Sequence, residues 1–98
     1  MLHTINKSPF QSKAFENSIR FIGSDDVILF YEDGVLAVKS DTIIEKILSS
    51  VIEQNIKVYA LSSDLKARSI DSLVKGVNVI DYEGFVDLVE SHKVNNWL

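Results

Sequence analysis

The sequence predicts an α/β fold, a three-layer α/β/α arrangement around a mainly parallel sheet of four to five strands, on three observations. Short apolar runs alternate with segments of helical periodicity along the chain, and strands joined through helices pair in parallel by right-handed crossovers. The run Val27-Ile28-Leu29-Phe30-Tyr31 shows no in-out alternation, as in a strand covered on both faces. Finally, 98 residues with 46% hydrophobic content, one Pro and four Gly suit a single packed domain, residues 1–98, with no linker.

The chain opens on a strand. Leu2, Thr4 and Ile5 have its apolar and β-branched character, and Asn6-Lys7-Ser8-Pro9 ends it in a turn, since Pro9 lacks a ladder donor. Phe15, Ile19 and Ile22 recur at i, i+4 and i+7 and predict a helix over 13–22, with Ser12 capping its start and Gly23 ending it in a left-handed turn. Residues 27–31 form the second strand. Glu32-Asp33-Gly34 interrupts it, and the apolar Val35-Leu36-Ala37-Val38 predicts a short buried helical turn capped by Asp33.

Thr42 and Glu45 read as a capping box before a helix over 42–54, whose apolar stripe is Ile43, Ile44, Ile47, Leu48, Val51 and Ile52. Lys57 to Leu61 is a third strand, followed by a short helix for which Ser62, Ser63 and Asp64 supply caps. Residues 69–76 are ambiguous. Val77 to Ile80 is a fourth strand, Asp81 caps the last helix, and Phe85, Leu88 and Val89 give that helix an apolar face up to about His92. The tail Asn95-Asn96-Trp97-Leu98 leaves a large aromatic with no covering partner in view. A strand order 3-2-1-4 fits, with the first strand central and a topological switch point at its carboxyl end.

Composition excludes several functions. Ten Lys and Arg against fourteen Asp and Glu, a net charge of −4 and a pI near 5.0 oppose direct nucleic-acid binding, which draws on excess cationic side chains. No signal-peptide pattern opens the chain and no apolar run approaches the roughly 20 residues of a spanning helix, so a soluble cytoplasmic protein without a membrane partner is expected. With no cysteine, the chain offers no disulfide, no thiolate metal ligand and no site for covalently held sulfur.

The strand ends gather Asn6, Lys7 and Ser8, then Glu32 and Asp33, then Ser62, Ser63 and Asp64, then Asp81 and Tyr82. Glu32, Asp33 and Asp64 could serve as acid/base carboxylates facing Lys7. Alternatively, Asp33, Asp64 and Asp81 each precede a helix, where a carboxylate satisfies orphan amides and favours the positive end of the dipole. His3 lies within a strand, which fits a hydrogen-bonded core or interface histidine, and His92 lies near a helix end. The two are far apart in sequence and carry no metal-ligand spacing. Gly23, Gly34, Gly76 and Gly84 are not spaced to cradle a nucleotide. Asn6-Lys7 stand where a receiver domain needs an acidic pair. Neither catalytic residue, cofactor nor metal is expected.

Five segments in order resemble the DsrH/TusB family: Met1-Leu2-His3-Thr4 with Lys7-Ser8-Pro9, Tyr31-Glu32-Asp33-Gly34-Val35, Val58 through Arg68, Asp81-Tyr82 with Phe85-Val86, and Trp97. The resemblance implies the DsrEFH-like fold and a cytoplasmic heterohexamer with two copies each of three related subunits. The sisters would be TusC-like and TusD-like, and a TusE-like carrier would be reached through the complex. It implies a sulfur relay in which a cysteine on the TusD-type partner carries persulfide toward 2-thiolation of the tRNA wobble uridine, or, in the sulfur-oxidising branch, a DsrH-type role alongside a DsrC carrier. Some sulfur-oxidiser relatives have a cysteine where Ser18 stands here, and a hydroxyl cannot hold a persulfide; this favours the tRNA branch and a noncatalytic subunit. Ser69 replaces a glycine of the family pattern. A small acidic chain without thiol or nucleotide loop suits burying a face against partners, and His3, Tyr31, Asp33 and Trp97 are the expected interface residues. A homo-oligomeric binding module and a small stand-alone enzyme using Glu32, Asp33, Asp64 and Lys7 are the alternatives.

Overall fold

The computed structural model describes residues 1–98. Its five strands are β1 (Leu2–Ile5), β2 (Val27–Phe30), β3 (Lys57–Leu61), β4 (Asn78–Ile80) and β5 (Val94–Trp97). All pair in parallel, in the order β4-β3-β2-β1-β5. The helices are α1 (Ala14–Ser18), a 3-10 helix over Glu32–Val38, α2 (Glu45–Glu53), α3 (Ser62–Ala67) and α4 (Tyr82–Ser91).

From β1 to β4 the chain steps outward in one direction, so right-handed crossovers put α1, the 3-10 helix, α2 and α3 on one face. The strand side chains of that face, including Ile5, Ile28, Phe30, Val58 and Ala60, join Phe15, Val35, Val38, Leu48, Val51 and Leu65 in a sixteen-residue buried cluster. After β4 the direction reverses. The chain returns through α4 across the other face, where Leu2, Val27 and Leu29 are the only buried members of a second cluster, and β5 lands outside β1.

The α/β class and the parallel 3-2-1 core agree with expectation, whereas the outer strands do not follow 3-2-1-4. The fourth strand pairs with β3 at one edge, and the place beside β1 goes to the tail, Val94–Trp97. Val-Asn-Asn-Trp has little β-character of its own; it is held because β1 offers a free ladder, Leu2 N–H donating to the Lys93 carbonyl at 2.7 Å. β1 is therefore next to an edge strand. Trp97 is half-buried against the main cluster, which corrects its reading as an uncovered aromatic.

Local departures have local causes. The first helix spans only Ala14–Ser18; Ile19 and Ile22 still pack on the core from the turns that follow. Ser12 Oγ does accept the Ala14 N–H, at 3.1 Å. Gly23 is not left-handed; its N–H donates to Asp26. Thr42 Oγ1 accepts from Ile44 N–H and Glu45 Oε1 from Asp41 N–H, a capping arrangement one residue off the expected one, and Ile43 turns outward, 82% exposed. The ambiguous 69–76 stretch contributes buried Ile70 and Val74 and an antiparallel bridge from Leu73 to Lys39.

Candidate functional site

The carboxyl edge of the sheet is closed by backbone. The 3-10 helix crosses the end of β1 so tightly that a Cβ on Gly34 would lie 2.1 Å from the Ile5 carbonyl oxygen. The Gly34 N–H donates to the carbonyls of Asn6, at 3.1 Å, and Tyr31, at 2.9 Å. Only glycine permits that approach, so the switch point after β1 is a lid of main chain.

The strand-end carboxylates are engaged around this lid. Asp64 Oδ2 accepts the Glu32 N–H at 2.7 Å, and thus caps the 3-10 helix that Asp33 was expected to cap. Asp33 Oδ1 instead accepts from Arg68 Nε at 3.0 Å and Nη2 at 2.8 Å. Arg68 Nη1 donates to the Asp64 carbonyl at 3.2 Å and lies 3.5 Å from its Oδ1. A side-chain contact of Asn6 Nδ2 with Glu32 Oε1 at 3.5 Å completes the edge. Arg68, which pattern reasoning did not single out for a role, is thus the cation of both carboxylates, and exposed Lys7 faces neither. Ser8 is buried and its Oγ accepts the Phe10 N–H. Ser62 is half-buried and Ser63 exposed; neither side chain caps α3. Asp81 Oδ1 accepts the Gly84 N–H at 2.9 Å and caps α4 as expected. Tyr82 is 69% exposed.

A second constellation lies at the β1–β5 junction. His3 is buried in β1, and its two ring nitrogens have different partners. The Trp97 indole Nε1–H donates to Nδ1 at 3.0 Å; an indole has no acceptor, so Nδ1 carries no proton and Nε2–H donates to Asp26 Oδ2 at 2.8 Å. The His3 and Trp97 rings stack with centroids 6.1 Å apart, and exposed Phe21 lies 5.7 Å from the indole. Asp26 also accepts from the Gly23 N–H at 3.0 Å and the Met1 nitrogen at 3.2 Å. Burial by itself would raise its pKa, but Gly23, His3 and the Met1 ammonium together hold it down at about 2. Nearby, Thr4 donates to Asn96 across the β1–β5 pair.

The remaining expected residues sit elsewhere. Tyr31 stacks on Phe85 of α4 at 6.1 Å, and burial, then the Glu32 charge, push its phenol pKa up. Ser18 is fully buried, its hydroxyl donating to the Phe15 carbonyl at 2.7 Å. His92 Nδ1 hydrogen-bonds the Leu88 carbonyl at 2.9 Å, at the end of α4. Two hollows open away from the strand ends: an apolar cleft of about 460 Å³ between the exit of α1 and α2, and a polar one of about 270 Å³ lined by Asp25, Asp26, Lys57 and His92 among others. No helix is long and apolar enough to cross a membrane.

A family model described as DsrH like protein matches residues 7–95. Among curated relatives, Protein TusB of Buchnera aphidicola is 38% identical, with 95% of each chain covered. Protein TusB of Photorhabdus laumondii is 39% identical and that of Escherichia coli 36%, each over 94% of both chains. Among solved structures, the ychN protein from E. coli superposes with a TM-score of 0.84 at 19% identity, over 97% of both chains. A Methanobacterium thermoautotrophicum protein of unknown function gives 0.76 at 19% identity, over 97% of this chain and 95% of its own. At that identity these two speak to the fold alone, and they share it.

Proposed function

We infer that this chain, which belongs to the DsrH family, is a noncatalytic subunit of a sulfur-relay complex acting in 2-thiolation of the tRNA wobble uridine. The observation that carries the reading is full-length similarity to proteins named TusB in a chain without a single cysteine. Sulfur relayed as a persulfide is held on a thiolate sulfur, so the sulfur-bearing group belongs to a partner. TusC-like and TusD-like sister subunits in a cytoplasmic heterohexamer are those partners, and a TusE-like carrier accepts sulfur from the complex.

Two features of the geometry support a supporting role. At Ser18, the position matching the cysteine of some relatives, the side chain is fully buried and bonded to its own helix. At the strand ends Asp33 and Asp64 are bound to Arg68, which leaves them poorly placed as a free acid/base pair. His3 acts from inside, fixing the orientation of Trp97; Tyr31, Asp33 and Trp97 reach the surface of the C-terminal sheet edge and of β5.

Deleting the gene for this chain should abolish wobble 2-thiouridine, measured by nucleoside mass spectrometry of bulk tRNA, and the cysteine-free chain supplied in trans should restore it. Unchanged 2-thiouridine after deletion would refute the proposed pathway.

A further inference from the structure

Helix α4 uses only part of its apolar surface on the sheet. Phe85 and Leu88 pack on the Leu2, Val27 and Leu29 cluster, yet none of the ten residues of α4 is buried. With three buried residues in the apolar cluster on this side of the sheet against sixteen in the cluster on the other, α4 is the more thinly packed cover. Tyr82, Val86 and Val89 recur at i, i+4 and i+7 and line a second strip, about 100° around the helix from Phe85 and Leu88. Tyr82 is 69% exposed and Val89 38%. Glu83, Asp87 and Glu90 repeat the same spacing on the strip beyond; all three are exposed, and α4 has no Lys or Arg.

An exposed apolar strip at helical spacing marks an interaction site, and its charged border selects the partner. A second copy of this chain is a poor fit, because antiparallel pairing of two α4 helices would bring two acidic strips together, and parallel pairing would set each against a flank with no Lys or Arg, in a protein of net charge −4. The geometry points to the Tyr82–Val86–Val89 strip of α4, edged by Glu83, Asp87 and Glu90, as the docking surface for a different protein chain that presents an apolar ridge bordered by Lys or Arg. This rests on the reading of the chain as a subunit and names the surface and the chemistry of its partner.

The test uses the chain co-expressed with its TusC-like and TusD-like sisters, with affinity capture on this chain and native mass spectrometry of what is retained. The triple variant Glu83→Lys/Asp87→Lys/Glu90→Lys and, separately, Tyr82→Ser/Val89→Ser should each cut sister recovery at least about tenfold. The thermal midpoint of the isolated variant should stay within a few degrees of wild type, these side chains being exposed. The control Glu16→Lys/Glu53→Lys, exposed acids on α1 and α2, should retain both sisters. Wild-type recovery by the α4 variants would overturn this surface while leaving the subunit reading intact. A wild-type chain that retains neither sister would overturn both. A homodimer of the free chain that the α4 variants abolish would overturn the heterologous partner.

Discussion

Asp26 accepts from Gly23, His3 and Met1 at once, and its ionisation is therefore linked to folding. Its folded pKa of about 2 lies below the ordinary 3.8. A depressed carboxylate stabilises the fold above its unfolded pKa, and that contribution is lost as pH falls through the folded value. Stability should hold down to about pH 4 and decline from there toward pH 2. Asp26→Asn should cost on the order of 1–2 kcal/mol at pH 7 and flatten this decline, as measured by urea unfolding at stepped pH. Ser69 and Gly34 show opposite uses of backbone freedom. Ser69 is left-handed, φ 53°, a conformation glycine adopts without penalty; Ser69→Gly should stabilise by about 0.5–1 kcal/mol in thermal unfolding, the relieved strain exceeding the added unfolded-state entropy. Gly34→Ala should cost about 3 kcal/mol, because its Cβ meets the Ile5 backbone and no side chain can yield. The roles of Asp26 and Arg68 were hidden in the sequence. His3 is 23 residues from Asp26 and Arg68 is 35 from Asp33, and local pattern reads neither distance.

At the level of elements, β5 is the part of the fold whose place depends most on other segments. Its four residues carry two Asn, and its ladder with β1 is reinforced by the Trp97–His3 hydrogen bond and stacking. Trp97→Ala should cost about 2 kcal/mol and raise amide exchange across Val94–Trp97 before the central strands respond, whereas Trp97→Phe should retain most of the packing and lose about 1 kcal/mol for the hydrogen bond. Equal exchange rates in wild type and Trp97→Ala would count against this account of β5. The same contrast explains what could be read in advance. β2 is legible because it is buried on both faces, which an unbroken apolar run records; β3 is legible through Val58, Ala60 and Leu61, buried beside an exposed Lys57 and a half-buried Tyr59; α4 is legible through its Asp81 cap and periodic Phe85 and Leu88. β5 was not, since an edge strand of polar residues is recruited by its neighbour's open ladder and carries no periodic signal of its own. The first helix is shorter than its periodicity implies because Ile19 and Ile22 keep a helical spacing while packing from turns. Asp33 and Asp64 follow the ends of β2 and β3 in sequence, but which cation they meet depends on where α3 sets Arg68.

For the whole molecule, the proposed role is that of one part of a larger assembly. Its sheet is well covered on one face and thinly on the other, and its strand-end carboxylates are tied to Arg68. The sequence has no thiol with which to carry sulfur. The central claim is that this chain works by assembling with sister subunits that hold the reactive cysteine. Native mass spectrometry of the chain co-expressed with its TusC-like and TusD-like sisters tests that claim most directly. A complex with equal copies of all three chains is the expected result; a free monomer or homodimer, with the sisters assembling without it, would contradict the account.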